Sequence, residues 1–403
     1  MPEQALSGLK VIEFGDLVSA PYCGKLMADM GAEVIKIEAP GIGDEARRRK
    51  PFAGEKAGVE RSGLFAYLNT NKFGITLDPG SEKGKDIFRS LIKDADILVE
   101  NNSPKQMQSL GFDYASLEKI NPRLIMTSIT PFGQTGPHRD YKATELTLYH
   151  AGGFGMSTTG VAEEPVPTPV KAGGRQALFG AGLSAAVATL CGVFARENIG
   201  EGQQIDISVQ ECLAGQYESA IQQWTFDGNE MGGVSVPMLM PITPLPCKDG
   251  HVFLMCVEER EYDNLVKVMG NPEWADNELF ENRFTRAEYS DALVIFLAEW
   301  AEQYTKEEIF RIGQDGNVPI APAYSPEEVV NSEHLNARAY FVDIDHPEIG
   351  RARYPGAPYR FSETQWRIVR HAPLLGEHNK EILGDRLGYS QQDLDDMAAE
   401  GIL

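Results

Sequence analysis

The fold is decided by the stretch LVSAPYCGKLMADMGAEVIKIE, residues 17–38. Its first half spaces apolar residues three and four positions apart, which predicts a helix over residues 21–30. Its second half is a short apolar run that predicts a strand over residues 33–37, and a similar run predicts a strand over residues 9–14. A strand, a helix and a second strand in this order are typical of a parallel sheet with right-handed crossovers.

The same alternation continues downstream. It predicts further helices over residues 82–93, 177–195 and 209–226, and further strands over residues 75–77, 95–99, 123–129 and 204–208. We therefore predict the α/β class with a parallel sheet. No Gly-x-Gly-x-x-Gly motif opens a predicted helix, so the sequence gives no support to a dinucleotide site.

The chain is long enough for a large and a small domain. In the small domain, Thr305 with Glu308 and Ser325 with Glu328 have the spacing of capping boxes at helix starts. We predict a large domain over residues 1–204 that is completed by 376–403, a linker helix over 205–237, a small α+β domain over 238–325, and an extended return linker over 326–375.

The composition is strongly acidic. Lys and Arg number 37 against 59 Asp and Glu, which gives a net charge of −22. This balance argues against nucleic acid and against anionic membrane surfaces as partners. An anionic small ligand would need a local basic pocket, for which the run Arg47-Arg48-Arg49-Lys50 is the candidate. The alternative for this run is a solvated charged loop.

Cysteine usage and the chain start indicate a cytoplasmic protein. The five cysteines are scattered without a Cys-x-x-Cys pair, which suits a reducing compartment and argues against a metal site. Residues 1–4 lack the basic and apolar regions of a signal peptide. Residues 177–195 carry no charge and approach transmembrane length, but they are rich in Ala, Gly, Ser and Thr, so we predict a buried helix there.

Residues 17–38 resemble the class III CoA-transferases, the CaiB/BaiF family that includes formyl-CoA transferase and carnitine CoA-transferase. Further segments resemble the same family, namely Asn71-Lys72 and residues 95–101, 120–125, 132–137, 200–203 and 372–378. They run from near the N-terminus to near the C-terminus, so the resemblance covers nearly the whole chain. It implies a ring-shaped chain with a Rossmann-like large domain and a small domain, and two such chains interlocked as a dimer.

The resemblance also implies a reaction. In this family an aspartate attacks the thioester of an acyl-CoA, a mixed anhydride forms and CoA is released. The acceptor acid is then activated through an aspartyl-CoA thioester. A covalent carboxylate divides one difficult exchange into easier steps. The resemblance thus implies CoA thioesters as substrates, with no tightly bound cofactor and no metal.

The residue that carries this chemistry is missing. Residues 170–182, VKAGGRQALFGAG, contain no carboxylate, and counting back from residues 200–203 places the family's nucleophile position at Leu178. Leucine can neither attack nor ionise, so the sequence assigns no confident catalytic residue to this chain. Glu145 is the fallback nucleophile, and Asp140 is a poorer one.

The family's CoA contacts are only partly kept, which predicts a vestigial or weak CoA site. The matching positions are Val18, Ser19, Arg47, Lys72, Asn101, Asn102, Lys142 and Glu145. Three positions that usually face CoA phosphates are neutral here, namely Ala39, Gly80 and Ser109. Each missing cation removes a charge-assisted contact worth on the order of 1–3 kcal/mol. The family's glycine-rich loop is replaced by Glu258, Glu259, Arg260 and Glu261, which we predict to shape or cover a partner's site.

Four functions follow from these matches and losses. The first is a non-catalytic subunit of a heteromeric transferase that moves CoA from succinyl-CoA to a succinate-like dicarboxylate, as in the (R)-benzylsuccinate enzyme. A paralogous aspartate-bearing chain would complete its heterodimer or heterotetramer. The second is a self-sufficient transferase that uses Glu145. The third is an acyl-CoA racemase, although the related racemases have a histidine where this chain has Thr144. The fourth is a binding or regulatory protein.

Overall fold

The computed structural model describes residues 4–155, 171–228 and 240–403. These residues divide into two compact units. The large unit contains the described residues up to 228 together with residues 339–403, and the small unit contains residues 240–338.

The large unit is built on a six-stranded parallel sheet. Its strands are β1 (Lys10–Phe14), β2 (Glu33–Glu38), β3 (Phe73–Thr76), β4 (Ile97–Glu100), β5 (Ile125–Thr130) and β6 (Gln203–Ser208). They lie in the order β3-β2-β1-β4-β5-β6, and every pair is parallel. The predicted α/β class is therefore confirmed. The strand order reverses direction between β1 and β4, which makes this edge a topological switch point.

Helices connect these strands. They are α1 (Ser19–Asp29), α2 (Gly63–Leu68), α3 (Glu82–Lys93), α4 (Pro104–Leu110), α5 (Tyr114–Leu117), α6 (Glu145–Ala151), α7 (Gln176–Ile199), α8 (Val209–Gln216) and α9 (Glu218–Asp227), with short 3₁₀ helices at Glu45–Arg48 and Ala53–Glu55. Every residue of β4 and β5 is buried, as expected for central parallel strands that are covered on both faces.

The predicted single helix over residues 209–226 is wrong, because the structure forms two helices there. Tyr217 separates α8 from α9 and has φ −99° and ψ 32°, outside the helical region. Its amide donates to the carbonyl oxygens of both Leu213 and Ala214. Gly215 lies just before the break, and glycine is a poor residue for a helix interior. The predicted linker over residues 205–237 begins inside β6, and its last part lies outside the described residues.

The small unit combines a three-stranded antiparallel sheet with helices. Thr305 with Glu308 and Ser325 with Glu328 form the predicted capping boxes. The strands, in the order β7-β8-β9, are β7 (Ile242–Cys247), β8 (Gly250–Met255) and β9 (Ile320–Pro322). The helices are α10 (Glu259–Val268), α11 (Arg283–Glu288), α12 (Ser290–Ala301), α13 (Lys306–Gly316), α14 (Pro326–Asn331) and α15 (Glu333–Ala337), with short 3₁₀ helices at Glu273–Asp276 and Glu278–Phe280.

The segment predicted as an extended return linker, residues 326–375, contains regular structure. Besides α14 and α15 it forms an antiparallel hairpin of β10 (Phe341–His346) and β11 (Gly350–Pro355). Asp343 on β10 accepts a hydrogen bond of 2.8 Å from Arg353 on β11, a cross-strand pair that favours the hairpin. The chain ends in a π-helix (Lys380–Arg386) and α16 (Gln391–Ala399), both in the large unit.

Helix α7 brings the region around Leu178 against α1. Gly182 permits the close approach, because a Cβ atom there would lie 2.7 Å from the carbonyl oxygen of Ser19. In the described part of the chain, α7 is the helix whose length and composition would suit a membrane span. Its inner face is packed against α1, β5 and β6, whereas Val187 (58% exposed) and Phe194 (75% exposed) lie on its outer face. The helix predicted to be buried is thus buried on one face only.

Candidate functional site

Two cavities open beside the carboxyl end of β1. The smaller one, which we call the site cavity, has a volume of about 130 Å³ and lies between the β1–α1 turn, α6 and the start of α7. The larger one, the strand-end cleft, has a volume of about 370 Å³ and is lined by residues that follow β1, β2, β3 and β4. Asp16 lines both. Ligands of open α/β sheets bind at this edge of the sheet, next to the switch point.

The site cavity brings together five of the residues singled out from the sequence. They are Val18, Ser19, Asn101, Glu145 and Leu178. These residues come from the β1–α1 turn, the end of β4, the start of α6 and the first turn of α7. Leu178, the position found by counting back from residues 200–203, therefore lies in the same cavity as the other matching positions. It presents an aliphatic side chain there.

Glu145 holds the first turn of α7. Its Oε1 accepts a hydrogen bond of 2.9 Å from the amide of Ala177, and its Oε2 accepts one of 3.3 Å from the amide of Leu178. Arg175, at the N-cap position of α7, makes no side-chain capping bond. Glu145 therefore supplies from α6 the cap that α7 lacks, where a carboxylate also meets the positive end of the helix dipole.

The β1–α1 turn forms the opposite wall. Leu17 has φ 66°, a left-handed conformation that a leucine adopts only when its surroundings enforce it. The amide of Leu17 donates to Asp16 Oδ1 at 2.9 Å and to Asp44 Oδ1 at 3.0 Å. Asn101, which directly follows β4, stabilises this turn. Its Nδ2 donates to the Asp16 carbonyl oxygen at 2.8 Å and to Ser19 Oγ at 3.0 Å.

Asp16 and Asp44 both lie beside this turn, and each affects the ionisation of the other. Burial of its carboxyl group and the hydrogen bond with Asp44 raise the pKa of Asp16 to about 8. Burial opposes ionisation of Asp44, but the ammonium group of Lys36, 2.7 Å away, and the bond from Asp16 hold the pKa of Asp44 well below its usual range. The raised pKa favours the neutral form of Asp16, while Asp44 keeps the negative charge.

Arg47 and Lys72 do not line either cavity. Arg47 is fully buried, contacts Glu38 at 2.7 and 2.8 Å and Glu60 at 2.5 Å, and lies over the ring of Phe65. Lys72 is fully buried as well, with its Nζ 2.7 Å from Glu13 Oε2. Burial lowers the pKa of Lys72 to about 8, although Glu13 opposes the shift. Both cations are held in interior ion pairs, so neither is available to a phosphate.

The rest of the basic run is also engaged or exposed. Arg48 donates to the carbonyl oxygen of Ile42 at 2.7 Å, Arg49 pairs with Glu45, and Lys50 is exposed. Lys142 is exposed on the segment before α6.

Asn102 lines the strand-end cleft, where its Nδ2 donates to the Phe14 carbonyl oxygen at 2.8 Å.

The segment at residues 258–261 forms the N-terminus of α10 in the small unit. Glu261 Oε2 accepts from the amides of Val257 at 2.7 Å and Glu258 at 3.0 Å, which completes a capping box. Glu259 pairs with Arg286 at 2.5 Å, and Arg260 is exposed. The predicted loop is therefore a capped helix start with acidic side chains.

Sequence reasoning missed Asp16. The signal for it was its place directly after a predicted strand at the switch-point edge, where functional residues concentrate in α/β folds. Asp16 and Glu145 are the ionisable residues that line the site cavity within the described ranges. Both Glu145 oxygens accept from helix amides, and Asp16 Oδ1 accepts from the amides of Leu17 and Glu45. The two carboxyl groups of the cavity are therefore engaged with backbone amides. No cluster of three or more metal-ligating side chains occurs among the described residues.

Comparisons with known proteins agree with this fold. The model of the family described as CoA-transferase family III matches residues 6–379. The chain is 32% identical to the succinyl-CoA:(R)-benzylsuccinate CoA-transferase subunit BbsE of Thauera aromatica, across 99% of this chain and 98% of that protein. It is 31% identical to the succinyl-CoA–D-citramalate CoA-transferase of Chloroflexus aurantiacus, across 100% and 99% of the two chains. Among solved structures, a CAIB/BAIF family protein from Brucella suis superposes with a TM-score of 0.84 at 29% identity, covering 95% of this chain and 99% of that one.

Proposed function

This chain belongs to CoA-transferase family III, and from that premise we propose that it is the subunit of a heteromeric CoA-transferase that does not carry the nucleophile. Its partner is a second family III chain that has an aspartate at the position of Leu178. The donor is succinyl-CoA and the acceptor is a succinate-like dicarboxylic acid.

One observation carries the proposal. Leu178 lies in the site cavity on the first turn of α7, where its amide already donates to Glu145. The cavity therefore retains its walls and lacks a nucleophile at the position where the family's acyl transfer takes place. A reaction that passes through an acylated carboxylate cannot proceed on this side chain.

The names of similar proteins support the substrates and the assembly. Succinyl-CoA is the donor named for both the benzylsuccinate and the citramalate enzymes, and the benzylsuccinate protein is named as a subunit. In the proposed assembly, the partner's aspartate attacks the succinyl carbonyl and expels the CoA thiolate. CoA then attacks the aspartyl carbonyl of this anhydride, which releases succinate and leaves an aspartyl-CoA thioester. The acceptor carboxylate displaces CoA from the thioester to give a second anhydride, and CoA attacks its acceptor acyl group to form the product thioester and free the aspartate.

The outer face of α7 supports a partner chain. Leu183, Val187 and Phe194 are exposed along one side of this helix. Tyr359 and Phe361 of the return segment, also in the large unit, line a wholly apolar groove beside it, with a volume of about 440 Å³. Exposed apolar patches of this kind mark protein interfaces. We assign this face to the aspartate-bearing partner.

A self-sufficient transferase through Glu145 is disfavoured by the contacts of that residue. An attacking carboxylate oxygen has to leave its hydrogen bonds, and both oxygens of Glu145 accept from amides of α7. Attack by Glu145 would therefore uncap the helix that forms the wall of its own site. The racemase alternative is disfavoured because the neighbouring Thr144 caps α6 and has no titrating group for proton abstraction.

The experiment is to isolate the complex from its natural source and assay CoA transfer from succinyl-CoA. The proposal expects an aspartate-bearing family III chain to copurify, and expects activity only when both chains are present. A fully active assembly of this chain alone would overturn it, and so would a fully active partner without this chain.

A matched pair of variants tests the role of position 178. Leu178→Asp in this chain restores a carboxylate, and Leu178→Asn restores the shape without the charge. Succinyl-N-acetylcysteamine, a small thioester without phosphates, is the probe. We expect an acyl adduct on Leu178→Asp and none on Leu178→Asn or on the natural chain. An adduct on the natural chain would contradict the proposal.

A further inference from the structure

The strand-end cleft occupies the place where a doubly wound sheet holds a nucleotide. Its walls follow four neighbouring parallel strands at the switch point between β1 and β4. Phosphate groups at such an edge are normally held by cationic side chains, by amides of a helix start or by a glycine-rich turn.

The ionisable residues lining the cleft are all acids. They are Asp16, Glu38, Asp44 and Asp78, and no lysine or arginine lines the cleft in the described part of the chain. The three positions expected from the sequence to lack the usual cation, Ala39, Gly80 and Ser109, line this same cleft. The three positions that lack a cation therefore lie in one cleft, and carboxyl groups line the same cleft.

The nearest cations are already committed to carboxylates. Lys36 is fully buried with its Nζ 2.7 Å from Asp44 and 2.9 Å from Glu13. Arg47 contacts Glu38 through two nitrogen atoms, as described above. Withdrawing either cation toward a phosphate would leave buried carboxylates without a partner, which is strongly unfavourable.

The neutral polar side chains of the cleft are also engaged. Asn102 Nδ2 donates to the Phe14 carbonyl oxygen, and Ser109 Oγ donates to the Gln106 carbonyl oxygen at 2.8 Å. A phosphate entering the cleft would therefore meet no lysine or arginine among the described residues that line it. Glu38 and Asp44 are balanced by Arg47 and Lys36, so the repulsion comes chiefly from Asp78, and it is strongest at low ionic strength.

We infer that the strand-end cleft excludes phosphorylated nucleotides, so that this chain does not hold the adenosine-phosphate end of a CoA thioester. The inference rests on the proposed function and deepens it, because the phosphates of CoA then belong to the partner's site. The residues that determine this specificity are the neutral Ala39, Gly80 and Ser109 together with the acid Asp78.

The test is calorimetric titration of the full chain with three probes: CoA, dephospho-CoA and pantetheine. The inference expects CoA to bind at least tenfold more weakly than pantetheine in 20 mM salt, and expects this ratio to shrink in 300 mM salt as repulsion is screened. A phosphate-binding site has the opposite salt dependence, because salt weakens attraction. Micromolar CoA affinity that falls with added salt would overturn the inference.

Two variants test whether the lack of cations in the strand-end cleft is the reason for weak CoA binding. Ala39→Arg with Ser109→Arg adds two cations at exposed positions that line the cleft, and Gln108→Arg adds one on the exposed neighbour that does not line it. The double variant should bind CoA at least tenfold more tightly than the natural chain, and Gln108→Arg should not. Failure of the double variant to gain affinity while its circular dichroism is unchanged would show that charge is not the cause, and would overturn the inference.

This binding test stands apart from the test of the proposed function. Transfer activity with an aspartate-bearing partner can hold while this chain binds CoA tightly, in which case only the exclusion of phosphates fails. Weak CoA binding with full activity of this chain alone would instead remove the proposed function.

Discussion

The capping of α7 by Glu145 gives a sharp prediction for Glu145→Ala. The substitution leaves the amides of Ala177 and Leu178 without their acceptor at a helix start whose own N-cap residue makes no side-chain bond. A hydrogen bond to a charged group contributes ~1.5–3 kcal/mol, and the loss of an N-cap acceptor costs ~0.5–2 kcal/mol. One of the two bonds is long and the residue is half-buried, so we expect a local cost of about 2 kcal/mol.

Amide hydrogen exchange measures this cost where it arises. A local destabilisation of about 2 kcal/mol speeds exchange of the first amides of α7 by about thirtyfold. Glu145→Gln keeps one acceptor oxygen and should give roughly half of that free-energy change. Glu118→Ala, at an exposed position on another helix end, is the control and should leave α7 unchanged. Unchanged exchange in Glu145→Ala would refute the capping role, and a succinyl adduct on Glu145 would refute it more directly.

Two further predictions concern buried groups. Lys72→Met should lower the free energy of unfolding of the large unit by ~3–5 kcal/mol in urea, because it removes one of the two cations that pair with the buried Glu13. A cost below about 1 kcal/mol would contradict a stabilising role for this buried ion pair. His378 Nδ1 accepts from the Gly74 amide at 3.1 Å, and burial lowers the pKa of His378 below its ordinary value of 6.5. The folded state therefore favours neutral His378, so this residue's contribution to stability is complete above pH 6.5 and is lost as the pH falls toward the lower folded pKa. His378→Gln should flatten the fall in unfolding free energy between pH 6.5 and 5, and an unchanged slope would contradict this assignment.

Local sequence patterns predicted the elements that frame the site. The apolar runs of β1 and β2 and the spacing of α1 were enough to predict the parallel unit, since a buried parallel strand has to be apolar on both faces. Thr305 and Ser325 fixed two helix starts because capping depends on residues three positions apart. Tyr217 escaped prediction because the segment keeps its apolar spacing across the break.

Local sequence patterns could not predict which side chains pair across different elements of the fold. Arg47 and Lys72 match family positions for CoA, but their partners Glu38, Glu60 and Glu13 lie on other elements of the fold. Only the folded structure shows that they neutralise these cations. The neutral positions in the cleft were predictable one by one. Their meeting in one cavity depends on the order of the strands, which short-range patterns do not specify.

The chain that carries the nucleophile can be identified from the intact mass of both chains of the purified complex after incubation with succinyl-CoA, with borohydride added to trap an enzyme-bound thioester. We expect a modified aspartate on the partner chain and an unmodified mass for this chain. An adduct on this chain, mapped by peptide sequencing to Glu145 or Asp16, would contradict the account and make this chain a catalyst in its own right.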